Sequence, residues 1–82
     1  MSLRDHSLES DIRDLILRLL QLHDRPPSTL ARFDVPAWDS LKHMEIIFAL
    51  EDRYRVQFDE SEFASLDTPA AIAAALEKRL AT

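Results

Sequence analysis

The chain has 82 residues, a formal net charge of −5 and neither cysteine, glycine nor asparagine. That length suits one small domain with a thin core, 1–82 taken as a unit, since such a chain buries about 60% of the surface it exposes when unfolded. Without Cys there is no disulfide, thiolate metal site or thiol nucleophile. Without Gly and Asn, turns needing positive φ and phosphate-cradling loops are disfavoured, and the acidity argues against a nucleic-acid partner.

Residues 1–7 are expected to fray. They lack the apolar core of a signal peptide, and no run in the chain reaches the length of a membrane span. No membrane insertion, a monomer and cytoplasmic residence are the expectations. From Leu8 a helical pattern starts, with Leu8, Ile12, Leu15, Ile16, Leu19 and Leu22 at steps of three and four. Arg13, Asp14 and Arg18 form its polar side, with Leu17 an odd apolar residue among them. Asp24-Arg25-Pro26-Pro27 predicts its end near Leu22 or His23.

A long connection follows over residues 24–39, holding Pro26, Pro27 and Pro36. Leu30, Phe33 and Val35 are the expected pins to the core, and 28–32 is expected to form a single helical turn. The second helix is predicted from Ser40 to Tyr54. Leu41, Met44, Ile47, Ala49, Leu50 and Tyr54 are spaced to face a core, and Glu45, Phe48, Glu51, Asp52 and Arg55 fall largely opposite. Acids outnumber bases between Asp39 and Glu62, so most of the net charge lies there.

Val56-Gln57-Phe58 is too short to need a sheet. Asp59 caps an expected short helix over 59–64, and Leu66 is expected to pack under the connection. The last helix has the clearest start, with Thr68 as N-cap and Pro69 at its first position. Ile72, Ala75, Leu76 and Leu80 line one face, and Lys78 and Arg79 complement its negative end. The result is an all-α bundle.

Chemistry centres on Ala37-Trp38-Asp39-Ser40-Leu41, where the connection becomes the second helix. Ser40, or Asp39 before it, could simply cap that helix, which would leave the chain a small helical protein–protein interaction module. As a cap, Ser40→Ala would cost about 0.5–2 kcal/mol. Catalysis is weaker: His43 lies three residues on, but a hydrolase also needs an orienting group and an oxyanion hole. His43 is expected to be a partly exposed surface residue, and the scattered His6, His23 and His43 suggest no metal site. Covalent attachment is the third reading, because backbone N–H groups at a helix start favour a phosphate.

Asp39-Ser40-Leu41, the pattern Met44-Glu45-Ile46-Ile47-Phe48-Ala49-Leu50-Glu51, Tyr54 to Phe58 and the Thr68-Pro69 start resemble acyl carrier proteins over residues 8–80. The resemblance implies a four-helix bundle, three longer helices and one short, with a long loop between the first two. It implies 4'-phosphopantetheine on Ser40, flanked by Asp39, installed from coenzyme A by a phosphopantetheinyl transferase. Acyl groups would ride as thioesters on the arm's thiol, delivered by loading ligases, acyltransferases or synthases, and the chain itself would catalyse nothing. Leu41, Glu45, Phe48, Glu51 and Asp52 would meet those partners. Three departures stand out. Ala37 replaces the frequent Gly, with Trp38 expected to pack across the junction. Lys42 stands where fatty-acid carriers usually have an acid, and Arg53 and Arg55 interrupt the acidic stretch. A specialised lipid, polyketide or secondary-metabolite carrier is therefore at least as well favoured as a fatty-acid one. Met44, Ile47 and Phe63 either line or fill a pocket between the helices.

Overall fold

The computed structural model describes the backbone of residues 3–80 and the side chains of residues 8–80. All its regular structure is helical, and the described residues contain no strand. Helix α1 runs Leu3–Leu19, α2 Ser40–Tyr54 and α3 Pro69–Leu80; short 3-10 helices occupy Arg32–Asp34 and Glu60–Ser65. This is the expected bundle. Of the segment expected to fray, residues 3–7 continue α1, and residues 1–2 lie outside the described residues.

Helix α1 packs against both α2 and α3. Two neighbouring stripes of α1 are therefore covered, and Ile12, Ile16 and Leu20 are buried together with Leu17. This corrects the placing of Leu17 on the polar side: a helix gripped by two neighbours needs a wider apolar arc than one stripe. Ile46, Ile47 and Leu50 of α2 and Ile72 and Leu76 of α3 complete the core, all at 0% exposure. Ile47 belongs to that core, whereas Met44 and Phe63 are half-buried at its edge. Leu80, expected in the core face, is exposed at the last residue of α3.

The connection is pinned by Leu30 and Val35, which are buried, but not by Phe33, which is 80% exposed. The expected turn over 28–32 forms instead at Arg32–Asp34, and it directs Phe33 outward between the two pins. The Arg32 N–H donates to the Asp67 carbonyl at 2.9 Å, tying this turn to the approach of α3. The Thr68 hydroxyl accepts from the Ala71 N–H at 3.0 Å, and Pro69 opens α3 as expected. Asp59 stands at the N-cap of the second 3-10 helix, where its N–H donates to Glu62 Oε1 at 2.9 Å. Arg79 pairs with the same Glu62 carboxylate, so α3 and this short helix are cross-braced.

Helix α1 stops earlier than expected, at Leu19, and both α1 and α2 end in a way the composition disfavours. Gln21 (φ 59°) and Arg55 (φ 56°) take the left-handed conformation without glycine. At each end the following N–H reaches back five residues: Leu22 to the Leu17 carbonyl at 2.8 Å, Val56 to the Glu51 carbonyl at 3.2 Å. These bonds satisfy carbonyls at the helix end, which offsets the strain of a side chain at positive φ. Glu51 adds a further tie, its Oε2 accepting from the buried Phe58 N–H at 2.9 Å. Arg55→Gly is expected to raise stability by about 0.5–1 kcal/mol, the relief of left-handed strain less the extra freedom of the unfolded chain. Urea unfolding of the two proteins checks this, and an unchanged or lowered midpoint would contradict it.

Candidate functional site

The connection delivers the chain to α2 through Val35, buried at one end, and Trp38, 2% exposed at the other. Asp39 is the N-cap of α2, with extended backbone, and its Oδ1 accepts from the Lys42 N–H at 2.9 Å. Ser40 is therefore the first helical residue and not the cap. It is exposed, and its Oγ has one hydrogen-bond partner among the described residues, Arg32 Nη2, at a long 3.5 Å. The loss assigned above to Ser40→Ala moves to Asp39: Asp39→Ala should cost about 0.5–2 kcal/mol, whereas Ser40→Ala should leave the fold nearly unchanged. Thermal unfolding of the two variants separates them, and an equal loss in both would contradict the division of roles.

Beneath the serine lies a buried polar chain. Trp38 Nε1–H donates to His43 Nδ1 at 2.9 Å, and His43 Nε2 meets the Phe63 carbonyl at 2.7 Å. Because Nδ1 accepts, Nε2 carries the proton and donates to Phe63, which makes the imidazole neutral. His43 is 3% exposed, which corrects its placing on the surface. The physical reason is that Trp38 needs a buried acceptor at this junction, and a histidine one turn into α2 supplies it while reaching the 3-10 helix with its other nitrogen. Burial holds its pKa below the ordinary value against the raising effect of the Phe63 bond; Arg32 also lowers it and Asp67 opposes. Both ring nitrogens are engaged away from Ser40, so the triad-like reading lacks its base. Trp38 itself packs at the junction as expected.

The remaining residues named for this site fall along α2. Leu41 is 69% and Phe48 57% exposed, and Asp52 is exposed, at spacings that place them along one face. Leu41 thus leaves the core face on which periodicity also put it. Glu45 and Glu51 are half-buried and already occupied: Lys42 Nζ lies 3.2 Å from Glu45 Oε1, and Glu51 holds the Phe58 N–H. Arg53 and Arg55 are exposed near the C-terminal end of α2. Arg32 is the residue that sequence reasoning missed. It lies eight positions before Ser40 in a connection without periodicity, so no spacing rule pointed to it.

Among the described residues there is no group of three or more side chains able to hold a metal, and no helix long and apolar enough to cross a membrane. A groove of about 470 Å³ opens between the second 3-10 helix and α3, lined by Glu62, Leu66, Ala71, Ala74, Ala75 and Lys78. It does not include Ser40, Met44 or Ile47.

An exposed hydroxyl on the first residue of a helix, freed of capping by its neighbour, fits a covalently held phosphate group. A family model described as a phosphopantetheine attachment site matches residues 10–76. A protein named acyl carrier protein 3, from Ralstonia nicotianae (strain ATCC BAA-1114 / GMI1000), is 37% identical over 76 residues, covering 87% of this chain and 83% of its own length. No solved structure matches the chain significantly. The family model spans most of the chain and agrees with the relative and with the helical bundle, so the chain belongs to the acyl carrier protein family, non-catalytic carriers that bear a covalent 4'-phosphopantetheine.

Proposed function

We propose that Ser40 Oγ is the atom that bears the arm, and that the chain presents acyl groups from that point to partner enzymes. The observation that supports this reading most is the division of labour at the start of α2. Asp39 caps the helix, so Ser40 can be esterified without opening it. In the transfer, Ser40 Oγ–H gives up its proton to a base on a phosphopantetheinyl transferase. Oγ bonds to the pantetheine-bearing phosphorus of coenzyme A, and the adenosine bisphosphate leaves with the electrons of the broken P–O bond. Once bound, the group supplies a flexible thiol for thioester chemistry. The chain contributes the exposed hydroxyl, the rigid helix start beneath it and the docking face beside it.

That docking face is Leu41, Phe48 and Asp52, with Glu45 and Glu51 at its margin. Its partners are the transferase and the ligases, acyltransferases or synthases that load and unload the arm. The apolar pair supplies contact area and the acids supply steering of basic partners. The Lys42–Glu45 pair reduces the free negative charge near the serine. This favours enzymes of a specialised lipid, polyketide or secondary-metabolite pathway over the standard fatty-acid set.

Incubation with coenzyme A, magnesium and a broad-specificity transferase tests the attachment. Intact mass should rise by one phosphopantetheinyl group in the wild type and not at all in Ser40→Ala, which remains folded. Equal mass gain in both proteins would overturn the assignment to Ser40.

A further inference from the structure

The arm's first bond would place a phosphate beside Ser40, and the side chain already standing there is Arg32, with Nη2 3.5 Å from Oγ. We propose that Arg32 clamps the phosphodiester on Ser40, fixing the root of the arm against the Arg32–Asp34 turn; this rests on the attachment reading above. At 3.5 Å the contact with the neutral hydroxyl is weak. Esterification replaces the hydroxyl hydrogen by phosphorus and sets two non-bridging oxygens, sharing one negative charge, two bonds beyond Oγ. A guanidinium meets such oxygens at about 2.7–2.9 Å, in a two-pronged fashion that a lysine does not match.

Three further observations favour Arg32 for this task. Its Cζ lies 5.5 Å from the centroid of the Phe33 ring, which gives the exposed Phe33 a role as the platform that holds the guanidinium. Its backbone N–H is fixed to the Asp67 carbonyl, so the turn that carries it is anchored to the approach of α3. The other base next to the serine, Lys42, is already paired with Glu45. Asp39 makes a counter-charge favourable. Its carboxylate sits one residue from the phosphate and caps the helix, and without Arg32 two anions would face each other there.

The test compares apo and holo forms of the wild type and of Arg32→Gln. Arg32→Gln leaves the backbone bond to Asp67 in place and the core untouched. Two readouts are taken: the change in melting temperature from apo to holo, and the Arg32 Nε–H signal by NMR. In the wild type, modification should raise the melting temperature, more at low salt than at high. It should also slow exchange of the Arg32 Nε–H with water several-fold. In Arg32→Gln the arm should still be installed but the gain in melting temperature should vanish. An equal apo-to-holo change in both proteins, with an unmoved Arg32 signal, would overturn the clamp and leave the attachment intact. Failure of the wild type to gain mass would overturn the attachment reading and the clamp together.

Discussion

Replacing His43 by alanine is expected to destabilise the fold by about 2–4 kcal/mol, the cost of stranding buried polar groups and opening a small cavity. The imidazole is the acceptor for the buried Trp38 indole and the donor to the Phe63 carbonyl. Its removal leaves both without a partner where water has little access. A domain of this size has only about 4–12 kcal/mol in total, at about 0.05–0.15 kcal/mol per residue. Urea unfolding followed by the fluorescence of Trp38, the chain's one tryptophan, measures the loss and reports on the junction directly. A midpoint equal to wild type would mean that the relay contributes nothing.

The same residue gives the fold an acid sensitivity. The folded-state pKa of His43 is depressed, chiefly by burial, from an ordinary value of 6.5. Well above pH 6.5 the imidazole is neutral in both states and adds no pH dependence to stability. As pH falls below that value the unfolded chain takes up the proton first, and stability drops until the folded-state value is passed. Protonated His43 would also turn an N–H toward the Trp38 N–H. Glu62, held below its ordinary value by the Asp59 N–H and then by Arg79, adds a second loss as pH falls through its own lowered pKa. His43→Gln should abolish the first decline and keep the second; retention of both would assign the mildly acidic one elsewhere.

Leu50→Ala is expected to cost about 2–5 kcal/mol, the range for truncating a fully buried leucine. Leu50 is at 0% exposure on α2, within the cluster of Ile16, Ile47, Ile72 and Leu76. The loss could approach the whole stability of a core this thin, so the variant should unfold at markedly lower urea concentration. A loss below about 1 kcal/mol would show that the site collapses freely around the missing atoms.

Much of the fold was legible because the helices announce themselves chemically. Thr68-Pro69 marks the start of α3, and the three-and-four spacing from Ile12 to Leu19 marks α1. What periodicity could not supply was the number of neighbours each helix has, so Leu17 was misplaced and Ile46 was not singled out. The end of α2 at Tyr54 was read from the sequence, but the way α1 and α2 close was hidden for another reason. Gln21 and Arg55 adopt a conformation that residue type opposes, and only the return hydrogen bonds to Leu17 and Glu51 make it acceptable. At the site, the local motif identified Asp39 and Ser40 but left open which of them caps the helix. The long-range partners stayed out of reach: Arg32 comes from an aperiodic loop, and the role of His43 depends on Phe63, twenty residues on.

Peptide mapping of the holo protein by fragmentation mass spectrometry identifies the modified residue. The phosphopantetheinyl group is expected on Ser40 in every modified molecule. Localisation to another hydroxyl, such as Ser28, Ser61, Ser65 or Thr68, would contradict it.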